Sequence, residues 1–310
     1  MSQPPGFVKK NQEGMVYRLH KALYGLKQAP KAWNLKIDSF FKLQGFRKCE
    51  MEYGVYVQYT SKGNMILVCL YVDDIVLIGS CSDEIVKFKK VLMNEFEMTD
   101  LGNMVYLLGK EIMYSEKGII LQQLKYELEL LKRFELTNCK TAITPAETNH
   151  KLDFDVESDD VDATTFKELV GKLRYLCNTR PDIFYAVGMV IRFMNKPKWS
   201  HYQATVRILR YIKGTLRYGV LFPSDVKSDS ELICYSDSDW CGDRVDRRST
   251  SRYFSKYLES LICWCSKKQP MNLKIKVSMP MSTQKQLADV LTKAVKIEHF
   301  IHLRDEIGVV

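Results

Sequence analysis

The sequence predicts an α+β protein assembled from several pieces. Three observations carry that expectation. Short β-rich runs alternate with helical stripes between Tyr53 and Phe134, three helical segments follow one another between Phe166 and Lys213, and the chain's charge is concentrated on those helices. The 310 residues are 46% hydrophobic and 27% charged. That balance excludes a mostly disordered chain, a collagen-like repeat and a small disulfide scaffold.

Taken in order, Pro30 suits the first turn of a helix reaching Leu43, and Trp33, Ile37, Phe40 and Phe41 give it an apolar stripe. Met65 to Val72 and Ile75 to Ile78 are β-rich runs joined at Asp73-Asp74, the pattern of a hairpin. Ser82 can cap a helix from Asp83 to Phe96. Met104 to Leu108 and Ile119 to Leu121 read as further strands, and Leu124 to Phe134 as a helix. Pro145 to Thr164 reads as a linker with six acidic residues between Asp153 and Asp162. Within it, Asp153-x-Asp155-x-Glu157 hints at a calcium loop. Ser158 stands where such a loop needs Gly, and Thr164 where it needs the bidentate Glu, so that reading is rejected. Phe166 to Asn178, Pro181 to Asn195 and Trp199 to Lys213 read as helices, the last stopped by Gly214. Residues from Glu231 onward open with a short β run ending in acids and close with two short amphipathic segments.

Eleven Lys or Arg lie between Thr165 and Arg217 against only Glu168 and Asp182, so this stretch holds the whole net charge of +9. An excess in one place points to a local anionic partner, and the alternative is a solvated helix face. Arg207, Arg210 and Lys213 recur there at helical spacing, opposite Tyr202, Val206 and Leu209. Nine cysteines without a CxxC pair fit reduced thiols in an intracellular protein, of the cytoplasm or the nucleus. No apolar run approaches the roughly 20 residues of a bilayer span, and no signal pattern opens the chain, so no membrane partner is expected. His299 and His302 lack an identifiable third ligand, and GxSxG, Walker-type and HExxH motifs are absent from the sequence.

Tyr71-Val72-Asp73-Asp74 is the most informative tetrapeptide. Asp is an ordinary turn residue, so the pair can be a turn and nothing more. The chemical alternative is a site for Mg²⁺ or Mn²⁺, completed by substrate phosphates. In nucleotidyl transfer two such ions about 3.5–4 Å apart activate the attacking 3′-hydroxyl and stabilise the leaving pyrophosphate.

Tyr71 to Asp74 resembles the metal-binding motif of reverse transcriptases. Upstream, Tyr17-Arg18-Leu19 and the run from Leu23 to Trp33 resemble the corresponding stretch of copia-type retrotransposon Pol polyproteins. The likeness continues through Tyr106-Leu107-Leu108-Gly109, Leu169-Val170-Gly171, Thr179-Arg180-Pro181-Asp182-Ile183 and the run from Leu209 to Thr215. It reaches Tyr235 to Trp240, Arg248 to Ser251, Ser266 to Gln269 and Gln286 to Lys293, colinear over nearly the whole chain.

The resemblance implies a partial reverse-transcriptase palm over residues 1–135, an acidic linker over 136–164, a basic helical thumb or connection over 165–228, and a remnant of a ribonuclease H-like α/β domain over 229–310. It implies Asp73 as a metal ligand with Asp74 beside it, and Gly25 and Gln28 bordering the incoming nucleotide and template. Tyr106 to Gly109 would lie near the primer grip. The basic helices, with Arg207, Arg210 and Lys213, would contact an RNA or DNA template–primer, and deoxynucleoside triphosphates would be the small-molecule substrates. Asp237 matches the first ribonuclease H carboxylate, with Asp239 and Asp243 nearby. Two departures qualify this. The family's first catalytic motif, an Asp-x-x-x-Ala-Phe-Leu-like strand, has no counterpart in the sequence, so Met1 looks internal to a longer frame. After Gln269 the Ser-Ser-x-Glu-Ala-Glu-Tyr segment is also missing, and Arg252 stands where the family usually has Gly. The expectation is a polymerase fragment without activity of its own, with Asp237 a relic. The alternatives are a non-catalytic nucleic-acid-binding remnant and an inert product. The Met65-to-Ile78 hairpin should expose an apolar edge, and residues 231–310 should struggle to hold a core.

Overall fold

The computed structural model describes residues 3–12, 14–148, 152, 158–224, 231–238, 250–268 and 287–310. The chain divides into two units, residues 1–104 and 105–310. Both are mixtures of helices and antiparallel sheets, which is the α+β class.

In the first unit α1 (Ala29–Leu43) precedes a sheet of β1 (Arg47–Lys48), β2 (Val55–Tyr59), β3 (Met65–Tyr71) and β4 (Asp74–Gly79), and α2 (Ser82–Glu95) follows. The strands lie in chain order and every pair is antiparallel. Pro30 occupies the opening turn of α1, where a missing N–H costs nothing. Period two along the strands sends Tyr56, Ile66 and Val68 to one face. There they meet Ile37 and Phe41 of α1, Phe88 and Leu92 of α2, and the flanking Phe46 and Phe96. The opposite face, including Val57, Leu67, Cys69 and Val76, is only partly covered, and Ile78 is 49% exposed. β4 pairs with β3 alone among the described residues, so the expected apolar edge is present. Ser82 does not cap α2: Cys81 is the N-cap residue and makes no side-chain cap bond, and the first turn carries Asp83 and Glu84 instead. Those acids favour the positive end of the helix dipole without a cap.

The second unit opens with β5 (Tyr106–Leu107), β6 (Lys110–Ser115), β7 (Gly118–Gln122) and α3 (Leu124–Arg133). α4 (Ala163–Leu176), α5 (Phe184–Val190) and α6 (Trp199–Gly214) come next, then β8 (Val220–Pro223). β9 (Ile233–Ser238), β10 (Thr250–Tyr257), β11 (Ser260–Lys268), α7 (Asp289–Thr292) and α8 (Ile297–Glu306) complete it. The stretch expected as one helix from Pro181 to Asn195 is α5 between two short 3₁₀ turns, Pro181–Ile183 and Ile191–Phe193. β5-β6-β7-β8 form one antiparallel sheet and β11-β10-β9 another. Asp162 caps α4 by accepting from the Thr165 N–H at 2.7 Å. Asp153, Asp155 and Glu157, the rejected calcium-loop residues, lie outside the described residues.

One core joins most of this unit. Phe166, Leu169 and Leu173 of α4, Ala186 and Val187 of α5 and Ile208, Leu209 and Ile212 of α6 pack with Phe254, Leu261, Leu291, Phe300 and Leu303. The expectation that residues 231–310 would struggle to hold a core is therefore corrected for those described. β10, β11, α7 and α8 bury their apolar sides in the same cluster as the central helices. No helix among the described residues is long and apolar enough to cross a membrane.

Candidate functional site

The hairpin β3–β4 turns through two residues, Val72 and Asp73, with Tyr71 paired to Asp74. Asp74 thus begins β4, one residue from the Asp73-Asp74 junction expected from the sequence. Val72 has φ +57°, a left-handed conformation uncommon for a β-branched residue. Such conformations cost of order 1–3 kcal/mol and persist where the surroundings over-determine them. Here the indole Nε1–H of Trp33 donates to the Val72 carbonyl at 2.6 Å. The Trp33 ring is itself held edge-on against Phe96, with centroids 5.4 Å apart. Both carboxylates at the tip stand in water.

Gly25 and Gln28 lie just before the helix that carries Trp33. Gly25 has φ +86°, which glycine adopts at little cost, and a Cβ there would meet nothing within 4 Å. Gln28 is the exposed N-cap of α1 and spends no side-chain bond on the helix. Carboxylate oxygens are the donors Mg²⁺ or Mn²⁺ prefers, and one or two carboxylates plus substrate phosphates are its usual support. The pair fits in kind. Among the described residues, no group of three or more His, Cys, Asp or Glu is arranged to hold a metal ion.

In the second unit, the stripe on α6 has partners within the chain. Arg207 donates to the Glu147 carboxylate and to the Thr144 hydroxyl, the latter at 3.1 Å. Arg210 Nε donates to the Lys140 carbonyl at 2.6 Å, and Lys213 Nζ donates to the Cys139 carbonyl. All three tie α6 to the segment from Cys139 to Glu147. Each partner lies 60 or more residues away in sequence, which is why spacing alone could not show it.

The outward face of α4 is different. Lys167 and Arg174 are exposed, with no ion pair between them and any described residue, and Gly171 lies between them. Gly171 has no positive φ, and a Cβ on it would meet nothing within 4 Å. Nothing among the described residues requires a glycine there, yet mid-helix glycine costs about 0.5–1 kcal/mol relative to alanine. One turn on, the Tyr175 hydroxyl donates to the Leu108 carbonyl at 3.3 Å. Leu108 and Gly109 form the β5–β6 turn with φ +51° and +78°, the left-handed pair that suits a tight hairpin. A Cβ at Gly109 would strike the Tyr175 hydroxyl, so a larger residue there would have to displace the end of that ring as well as adopt a positive φ.

The Thr179-to-Ile183 motif is used internally. Arg180, with no solvent exposure, holds Asp182 bidentately at 3.0 and 2.8 Å and donates to Glu127 at 2.7 Å. It also donates to the Thr215 hydroxyl and carbonyl, and the Tyr211 hydroxyl donates to Asp182 at 2.7 Å. Burial pushes Glu127 up to about 7 against the pull of Arg180. Burial also opposes ionisation of Asp182, but the guanidinium and its hydrogen bonds overcome this and hold that carboxyl below its ordinary value. Sequence reading quoted Arg180 within its motif and missed Glu127, whose one clue is an acid among the apolar positions of α3.

Asp237 lies on β9, and the ladder register sets it opposite Arg252 of β10. Arg252 is 2% exposed, donates from Nε to Ser266 at 2.9 Å and lies over the Tyr185 ring. Asp239 and Asp243 fall outside the described residues.

Residues 1–148 match the family model described as reverse transcriptase (RNA-dependent DNA polymerase). The whole chain is 34% identical to 20% of a retrovirus-related Pol polyprotein from transposon RE1 of Arabidopsis thaliana. A Pol polyprotein from transposon TNT 1-94 of Nicotiana tabacum is 37% identical over 87% of the chain and 21% of its own length. A transposon Ty5-1 protein of Saccharomyces cerevisiae is 33% identical over 86% of the chain and 87% of its own length. The chain thus spans about a fifth of the two Pol polyproteins and most of the yeast protein. No solved structure matches. With its carboxylate hairpin in the matched region and its likeness running to the end, the chain belongs to the reverse transcriptase family of retrotransposon Pol polyproteins.

Proposed function

We propose that the chain is the carboxylate-bearing part of an RNA-directed DNA polymerase palm with its thumb or connection, and that by itself it binds template–primer without extending it. The observation that carries this is the hairpin tip. Two exposed carboxylates are aimed from a strained, latched turn, and no third ligand completes a metal site among the described residues. Asp73 and Asp74 would hold Mg²⁺ or Mn²⁺, which in nucleotidyl transfer supplies charge neutralisation at the phosphates. Gly25 and Gln28, exposed at the head of α1, would border nucleotide and template. The family's Asp-x-x-x-Ala-Phe-Leu-like motif, which would supply the other carboxylate, has no counterpart in these 310 residues.

For contact with RNA or DNA phosphates, the outward face of α4 supports the reading better than α6, because its cations have no described ion-pair partner and its glycine leaves room for a close approach. In the ribonuclease H-like remnant, Asp237 has Arg252 as its nearest cross-strand neighbour.

The test pairs binding with extension. A labelled template–primer should bind with strong salt dependence, Lys167→Ala and Arg174→Ala should each reduce the log–log salt slope by about one, and no primer should lengthen in Mg²⁺. Extension abolished by Asp73→Asn would overturn the inactive reading. Association that is absent or insensitive to salt would overturn the nucleic-acid reading.

A further inference from the structure

We infer that Trp33 is the positioning residue of the Asp73–Asp74 tip. It fixes the direction of both carboxylates through the turn, without touching a ligand itself. The inference rests on the reading of that pair as a metal-binding site, and three observations carry it.

The first is the strain. Left-handed φ at Val72 is what a two-residue turn requires when only its first central residue is positive, a position that favours glycine. The sequence places a β-branched residue there, so the backbone does not hold the turn on its own preference. The second is the bond. Trp33 contributes its single polar atom to the Val72 carbonyl, at 2.6 Å and across 39 residues of sequence. Val72 precedes the first carboxylate directly, so rotation of the Val72–Asp73 peptide would redirect Asp73 and shift the start of β4 at Asp74. The indole bond opposes that rotation. The third is the anchor. The Trp33 ring stands edge-on to Phe96 at 5.4 Å, and Phe96 is buried beside Phe40 at the end of α2. The latch is thus seated on the core of the first unit. Through α1 the same residue also joins the tip to the segment holding Gly25 and Gln28, five residues ahead of it at Gln28.

A phenyl ring keeps the aromatic contact and lacks only the N–H, which makes Trp33→Phe the informative change. Manganese binding to the full chain, followed by the electron paramagnetic resonance of free Mn²⁺, gives a readout independent of activity. Wild type should bind, Asp73→Asn should lose the site, and Trp33→Phe should weaken it about three- to tenfold, the size of one hydrogen bond. Val72→Gly supplies a rescue: glycine reaches the left-handed region freely, so adding Trp33→Phe to it should change the affinity less than twofold, about the resolution of such a measurement. If Trp33→Phe binds as wild type does while Asp73→Asn does not, the positioning role is overturned and the metal reading stands. If wild type takes up no Mn²⁺, or Asp73→Asn takes up as much, both fall together. Should Trp33→Phe not fold, the wild-type indole proton decides. It should exchange with solvent about tenfold or more slower than that of Trp199, which is 51% exposed, and exchange at the Trp199 rate overturns the latch.

Discussion

Two aspartate sites, one in each unit, stand in opposite circumstances. In the first, Asp73 and Asp74 stand in water on a turn that costs free energy to hold. In the second, Asp182 is sealed in the core against a guanidinium that serves it and Glu127 together. A buried carboxylate must be paired or it destroys the fold, whereas an exposed one on a strained turn contributes nothing to the fold that would explain the strain. The contrast is what favours the hairpin tip as the proposed site. Asp182 and Glu127 help hold the second unit together, whereas the hairpin tip of the first presents Asp73 and Asp74 outward.

The largest expected effect breaks the contrast from the buried side. Arg180→Met should cost about 3–5 kcal/mol in urea unfolding, because Asp182 and Glu127 are left uncompensated. Asp73→Asn should change stability by no more than about 0.5 kcal/mol. Equal effects would mean that the exposed pair is structural too. Next, Leu303→Ala should cost about 2–5 kcal/mol by opening a cavity in the shared core. A near-neutral result would detach α8 from that core.

The third effect is a dependence on pH. Glu127 is held at about 7 in the fold, above its ordinary 4.5. It therefore keeps its proton in the fold where the unfolded chain has lost it, and its contribution to stability is lost as pH rises from about 4.5 to about 7. Asp182 works the other way, supporting the fold above its ordinary 3.8 and losing that support as pH falls below it. Denaturation midpoints of the wild type should decline against those of Glu127→Gln across that upper window. Parallel curves would mean that Glu127 stays ionised beside Arg180. The smallest effect sharpens the outward side. Gly171→Ala should stabilise α4 by about 0.5–1 kcal/mol and at the same time weaken template–primer binding. Stabilisation with undiminished binding would show that the open space on α4 is not used.

Much of this was legible in the sequence, and the misses share a cause. Helical periodicity read α1, α3, α4 and α6 to within a few residues, because each has an apolar stripe that its own unit buries. The β3–β4 hairpin was legible from its β-rich runs, but the turn was placed on Asp73-Asp74. Residue preference favours Asp in turns and gives no reason to expect left-handed Val72. The strand β6 went unread between its neighbours. The role of Trp33 was hidden inside its apolar stripe, since spacing reports which face a residue lies on and not where its N–H reaches. Arg207, Arg210 and Lys213 show the same limit. Their common face was plain, while the carboxylate, hydroxyl and carbonyls that engage them come from a distant loop.

Residues 308–310 add a last strip to the sheet beyond β8. The Gly219 and Val310 backbones exchange both hydrogen bonds, and the Leu221 N–H donates to the Gly308 carbonyl. β8 in turn pairs with β7, near the start of the same unit. A growing chain therefore has the first half of this sheet early and must wait for residue 310 before β8 gains its second neighbour. Pairings between such distant segments are slow to close, and until then the β8 edge is open to other chains. Ribosomes that stall short of Gly308 would release a product whose hazard is aggregation rather than mere inactivity.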